Sequence, residues 1–330
     1  MQQFRALVLE QEGERIAANI RTRTLADLPA GEVTIRVQYS SVNYKDGLAA
    51  TINGGVVKSY PLVPGIDLAG TVAESSDSRF RSGDKVVVTG YGTGVSHDGG
   101  YSEYARVPAD WVVPLPAGLS VREAMVLGTA GFTAALSVHK LEHNGLRPDS
   151  GPVLVTGATG GVGSLAVGML AKLGYEVVAS TGKQTERDYL RKLGASGIIS
   201  REELTPERIR PLDKQRWAGA VDPVGGKSLA YVLSALRYGG SVAVSGLTGG
   251  TEVPATVLPF ILRGVSLIGI DSVECPMDVR LKVWERLAGD LYLGQFLEES
   301  IDREIDLDEV PTALADIMQA KMRGRALVKL

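Results

Sequence analysis

Two hydrophobic rhythms follow one another along the chain. From Met1 to about Pro116 the apolar residues come in short alternating runs, RALVLE, EVTIRVQYSSV, DLAGTVAES, DKVVVTG, YSEYARV and WVVPL, each bounded by Gly, Pro, Asp or Ser. That is strand and turn chemistry. After about Leu127 the runs VLVTG, EVVAST, GIIS, GAVDPV, SVAVSG and SLIGI alternate with helical patterns such as VGSLAVGMLAKLG, TERDYLRKLG and KSLAYVLSALRYGG. Six strands at this spacing predict an α/β fold, a Rossmann-type doubly wound parallel sheet with helices on both faces, beside a β-rich domain. A helix near Leu307 to Met322 and a closing strand, ALVKL, end the sequence. The division expected is 1–127 with 300–330 returning to it, and 128–299.

One apolar run ends in a glycine-rich turn. Val153 to Val155 lead through Thr156, Gly157, Ala158, Thr159, Gly160, Gly161, Val162 and Gly163 into a helix that starts near Val162. Ala158-x-Gly160-x-x-Gly163 is the dinucleotide fingerprint with Ala in first place. Glycines let the backbone approach a pyrophosphate, and the helix amino terminus offers free N–H groups to it. A plain structural turn would look the same, but the placement between strand and helix is the one the fingerprint requires. About 20 residues on, an NAD enzyme places an acid against the ribose 2'-hydroxyl. Here that strand ends in Ser180, Thr181, Gly182 and Lys183, with no acid. Hydroxyls and an ammonium suit a 2'-phosphate, so the cofactor predicted is NADPH.

Composition removes several alternatives. The 330 residues are 44% hydrophobic and 22% charged with a net charge of -3, which gives no footprint for nucleic acid. Forty glycines fit a chain of many tight turns and close ligand contacts. The one cysteine, Cys275, forms no intrachain disulfide and fits a reducing cytoplasm. No signal core and no apolar span of membrane length is visible, so a cytoplasmic protein without a membrane partner is expected. With one Cys and three His (His97, His139 and His143), no metal site is expected either.

Four separated motifs carry a resemblance: Ser41 to Asp46 (SVNYKD), Pro64 to Gly70 (PGIDLAG), Gly128 to Ala134 (GTAGFTA) and Pro259 to Arg263 (PFILR). In this order they resemble the medium-chain dehydrogenase/reductase superfamily, and within it the acrylyl-CoA reductase and quinone oxidoreductase group. The resemblance implies a GroES-like catalytic domain, a Rossmann domain, a cleft where nicotinamide meets substrate, and homodimers that pair the strand at Ser266 to Ile270. The zinc-dependent branch places Cys at the position of Asn43 and a His-Glu pair at Ile66-Asp67. This chain departs at both, which removes the Lewis acid of alcohol dehydrogenation.

A metal-free hydride site suits reduction of a carbon–carbon double bond conjugated to a carbonyl. The enolate then needs hydrogen-bond donors and a proton at the α-carbon. Tyr44 is the leading donor candidate and a cofactor contact, with Asn43 orienting the carbonyl and Asp67 or Asp46 ordering the group. Bland readings stand beside these: Tyr44 packing against the cofactor, Asp67 capping backbone N–H groups, Lys45 as a solvated helix lysine. Motif matching adds Thr129, Thr133, Gly246, Leu247, Ile270 and Arg325 as cofactor contacts. The function expected is NADPH-dependent reduction of a 2-enoyl thioester, acrylyl-CoA to propionyl-CoA. The alternatives are an NADPH-dependent reductase of quinones or small enones, and a non-catalytic NADPH-binding protein.

Overall fold

The computed structural model describes residues 2–330. In chain order it contains β1 (Gln3–Glu12), β2 (Arg15–Thr24), β3 (Val33–Ser41), α1 (Tyr44–Ala49), β4 (Asp67–Ser75), β5 (Lys85–Thr89), β6 (Tyr104–Val107), β7 (Val113–Pro114) and α2 (Val121–His143). There follow β8 (Val153–Val155), α3 (Gly161–Lys172), β9 (Val177–Thr181), α4 (Arg187–Lys192), β10 (Gly197–Ser200), β11 (Trp217–Asp222), α5 (Gly226–Ala235), β12 (Leu236–Val244), α6 (Leu258–Arg263) and β13 (Ser266–Gly269). The chain closes with α7 (Met277–Ala288), α8 (Phe296–Glu299), β14 (Ile301–Asp306), α9 (Val310–Met318) and β15 (Arg325–Lys329).

Two compact units result. The first comprises Met1–Thr129, Val273–Ala288 and Ile301–Leu330, and the second Ala130–Ser272 and Gly289–Ser300. The expected boundaries missed residues 273–288, which join the first unit. The cause is local: the guanidinium of Arg280 on α7 is fully buried and donates to the carbonyl and hydroxyl of Thr89 at 2.8 and 3.0 Å.

In the first unit seven strands pair in the order β14-β15-β3-β4-β5-β7, with β6 also on β3. Alternate residues of β3, β4 and β5 turn inward, so Val33, Ile35, Val37, Leu68, Val72, Val86 and Val88 form one core. A separate hairpin joins β1 and β2 antiparallel from Gln3↔Thr24 to Glu12↔Arg15. Strand β2 is invisible to the hydrophobic pattern because RIAANIRTRT buries no residue fully.

In the second unit the six-stranded sheet runs β10-β9-β8-β11-β12-β13, with all its pairings parallel. That is the doubly wound order, which opens a crevice at the carboxyl ends of the central strands. Leu154, Ala220 and Val242 on adjacent strands pack with Leu229, Val232 and Leu233 of α5. The helix expected through Gly240 ends at Ala235, and LRYGG begins β12 instead. Helix α2 is long and apolar enough to cross a membrane, yet 83% of its most apolar window is buried, the behaviour of a core helix.

Candidate active site

The glycine turn lies where β8 meets α3. Gly157 adopts φ +53, a left-handed conformation that favours glycine. The tight turn therefore sits one residue before Ala158, which is fully buried and donates its N–H to Ser180 O at 3.0 Å. This explains how Ala occupies the first place of the fingerprint. At Gly163 a Cβ would stand 2.4 Å from Gly157 O and 2.8 Å from the Cα of Ala158, so helix and turn touch there. Gly160 is roomier, its nearest neighbour in that direction being Gly157 O at 3.4 Å. Gly160 also caps α3 without a side-chain hydrogen bond, leaving the first N–H groups of Gly161, Val162 and Gly163 to an external acceptor.

The strand end expected to read the 2'-phosphate has a more divided character. Thr181 is buried; its hydroxyl accepts from the N–H of Lys183 at 3.0 Å and meets the Thr159 hydroxyl at 3.3 Å. Ser180 is buried as well. The hydroxyls shape the turn, and Lys183 supplies charge. The sequence reading missed Arg201. Ser200 pairs with Thr181 in the parallel register, so the next residue, Arg201, falls beside Gly182. A Cβ on Gly182 would lie 3.0 Å from the Arg201 guanidinium carbon. A cation just beyond the strand that neighbours β9 was the available signal.

Other parts of the second unit fit a dinucleotide. The hydroxyl of Ser245, at the carboxyl end of β12, is buried without a hydrogen-bond partner, an open polar atom where ligands of such sheets bind. Leu247 is exposed, Ile270 half-buried, and Gly246 packs against the Pro223 carbonyl. Asp222 at the end of β11 takes the hydroxyl of Thr156 and the N–H of Gly225, and burial raises its pKa from the ordinary value. Thr133 is buried on α2.

In the first unit three of the quoted motifs converge on one carboxylate. Asp67, fully buried at the start of β4, accepts from the Ser41 hydroxyl at 2.6 Å and the Asn43 side-chain amide at 2.8 Å. It also accepts from the N–H and hydroxyl of Thr129 at 2.9 and 2.6 Å. Arg325 closes the cluster 3.6 Å from Asp67 and only 2% exposed. Its guanidinium donates to Val126 O, Val42 O, Asn43 Oδ1 and Ser41 Oγ at 2.9, 3.2, 3.1 and 2.7 Å. Arg325 and Thr129, expected as cofactor contacts, are both members of this internal network, in which the buried charge is paired and bonded.

A second buried carboxylate lies alongside. Asp46 on α1 accepts the N–H of Asn43 and of Ile66, both at 2.9 Å. Burial, and then the charge of Asp67, push it up to about 7. Burial also holds the Tyr101 phenol well above its usual range and lowers Arg325. The network fixes the start of α1, where Tyr44 is 38% exposed and its hydroxyl meets no described residue. Asn43 and Asp67 are thus interior, and Tyr44 is the outward-facing one. His97 directs both ring nitrogens at backbone carbonyls, of Asp98 at 3.0 Å and Ala30 at 3.2 Å.

Among the described residues no group of three or more His, Cys, Asp or Glu is placed to hold a metal ion. Residues 29–117 match the alcohol dehydrogenase GroES-like domain family, and residues 161–289 the zinc-binding dehydrogenase family. The sequence is 61% identical over 327 residues to YhfP of Bacillus subtilis, which carries a quinone oxidoreductase name, covering 99% of each chain. It is 54% identical to the acrylyl-CoA reductase AcuI of Ruegeria pomeroyi, covering 98% of each. The crystal structure of Bacillus subtilis YhfP with NAD bound superposes with a TM-score of 0.98 at 60% identity, covering 100% of both chains. The YhdH oxidoreductase of Salmonella enterica in complex with NADP gives 0.96 at 50%, again over 100% of both. Fold, glycine turn and whole-length likeness together make this chain an oxidoreductase of the medium-chain dehydrogenase/reductase superfamily, in the group that holds acrylyl-CoA reductases and quinone oxidoreductases.

Proposed function

We propose that the protein reduces the activated double bond of a 2-enoyl thioester with NADPH, converting acrylyl-CoA to propionyl-CoA. The observation that carries this reading is the 54% identity to the acrylyl-CoA reductase of Ruegeria pomeroyi over 98% of each chain. For the cofactor, support comes from the acid-free end of β9, where Lys183 and Arg201 bring two cations to the place of a 2'-phosphate. The turn at Gly157–Gly163 would hold the pyrophosphate, and Ser245 offers a spare hydroxyl beside it.

NADPH held by the turn at Gly157–Gly163 and the end of β9 would supply a hydride for the β-carbon. The chain supplies the rest. Tyr44 presents a phenol to solvent from the start of α1, suited to donate to the thioester oxygen and, through water, to pass a proton to the α-carbon. Asn43 and Asp67 act from behind as positioning residues, holding the backbone that carries Tyr44. No zinc ligand set stands at Asn43, Ile66 and Asp67, so oxyanion stabilisation falls to hydrogen-bond donors.

A quinone reductase is the second reading, favoured by 61% identity to YhfP. Following NADPH consumption with acrylyl-CoA and with a small quinone separates the two. Thioester turnover is the expected result; rapid quinone reduction without it reverses the ranking. We also infer a homodimer built on the edge strand β13, because Leu267 on it and Ile261 and Leu262 on α6 are exposed apolar side chains. Sedimentation analysis would report twice the chain mass. The single cysteine, Cys275, forms no intrachain disulfide, which suits a reducing, cytoplasmic setting.

A further inference from the structure

Coenzyme A is a polyanion and a quinone is not, so the structure should hold charge for the first and none for the second. The first unit contains a cavity of about 470 Å³. Lys45, on the first turn of α1 directly after Tyr44, and Lys58 line it together with Tyr91, Ser96, Trp111 and Glu274. Neither lysine makes a hydrogen bond or ion pair with another described residue. Two ammonium groups against one carboxylate leave the lining positive, and a concave wall concentrates that field on an entering anion.

Part of the lining is aromatic and firmly held. Tyr91 stacks on Trp111 with centroids 5.6 Å apart and planes 7° from parallel. The Arg280 guanidinium sits 4.6 Å over the Tyr91 ring and is tied to Val273 O at 3.0 Å. Tyr91 itself adopts φ +51, where a bulky residue stays only if its surroundings hold it. Here they do: its N–H donates to Val273 O at 3.0 Å and its hydroxyl to Cys275 O at 3.3 Å. Backbone strain of this kind clusters at ligand sites.

We propose that this cavity binds the phosphorylated handle of a coenzyme A thioester, with Lys45 and Lys58 on its phosphates and the Tyr91–Trp111 wall against its less polar parts. The assignment rests on the thioester reading above and deepens it. Lys45 is then no solvated helix lysine but the link between the handle and the reacting end, being the neighbour of Tyr44.

The test compares acrylyl-CoA with the acrylyl thioester of N-acetylcysteamine, which keeps the reacting group and lacks every phosphate. In Lys45→Gln and Lys58→Gln, kcat/KM for acrylyl-CoA should fall about 10- to 100-fold per lysine, the size of one lost charge-assisted contact. The truncated thioester should lose far less, and Lys58→Arg should recover most of the loss. Equal losses on both substrates, or none on either, overturn the proposal. Coenzyme A titrated calorimetrically into the NADPH-loaded enzyme gives a separate reading. Binding that weakens in the double variant supports the cavity even if no thioester is turned over, an outcome that would sink the function alone. Failure of coenzyme A to bind the wild-type enzyme, or binding unchanged in the double variant, overturns the assignment while leaving thioester turnover to stand or fall by itself.

Discussion

Thr129 gives both its backbone N–H and its hydroxyl to the carboxylate of Asp67, at 2.9 and 2.6 Å. The contact is possible because the preceding residue breaks the helix. Gly128 has φ 50 and ψ -154 inside α2, which turns the Thr129 N–H out of the helical ladder and toward β4.

Gly128→Ala should therefore be costly. A Cβ there would lie 2.3 Å from Asp67 Oδ2, 2.7 Å from Ser41 Oγ and 2.8 Å from Arg325 Nη2. The expected loss is about 3 to 5 kcal/mol, as for breaking a buried ion pair. Gly145→Ala is the control: it has φ +95 but nothing within 4 Å, so it should cost only about 1 to 2 kcal/mol for backbone strain. Urea midpoints of the two variants check the difference; similar midpoints would mean that the network yields easily.

Asp46 links stability to pH. Its pKa stands at about 7 in the folded chain against 3.8 in the unfolded one, so the folded state holds the extra proton between those values. The contribution is fully present below about pH 4 and is lost as pH rises through 7. Between pH 5 and 8 the wild type should lose about 2 to 3 kcal/mol from this group. Asp46→Asn should be less stable at pH 5, since one backbone N–H loses its acceptor, yet flatter across the range. Parallel slopes for both proteins would remove Asp46 as the titrating group.

Cofactor choice is testable at the end of β9. Lys183→Ala and Arg201→Ala should each raise KM for NADPH about tenfold or more, in keeping with a lost charge-assisted bond, and leave KM for NADH nearly unchanged. Equal effects on the two cofactors would remove the 2'-phosphate from that position.

Tyr44→Phe keeps the ring and deletes the phenol. A fall in kcat of about 100-fold with KM for NADPH held is expected if the hydroxyl serves the proton or the thioester oxygen. A kcat within twofold of the wild type would leave Tyr44 as a packing residue.

The second unit was the more legible from sequence. Its central strands are buried, so VLV and VVAST read as apolar runs, and GIIS matches the half-buried edge strand β10 residue for residue. The glycine turn was readable because backbone conformation there constrains residue type. Arg201 was not: its meaning depends on the pairing of Ser200 with Thr181, which only the sheet order supplies. In the first unit the motifs marked residues that the fold gathers around Asp67. Asp67, Asn43, Thr129 and Arg325 are distant in sequence and polar, a description that fits a reacting site and a buried brace alike. Burial tells them apart, and burial is a property of the folded whole.

The returning strand β15 sets the order of folding. Arg325 and Ser41, hydrogen-bonded in the finished structure, are 284 residues apart in sequence. The parallel strands β8 and β9, by contrast, are joined through the single helix α3. Pairings across long loops form late, because the loop entropy must be overcome before any contact rewards it. The nucleotide-binding sheet can thus assemble while β3 still lacks β15. Until that strand arrives, β3 has an open edge and Asp67 lacks its arginine, so the brace beneath Tyr44 should be among the last parts of the molecule to form.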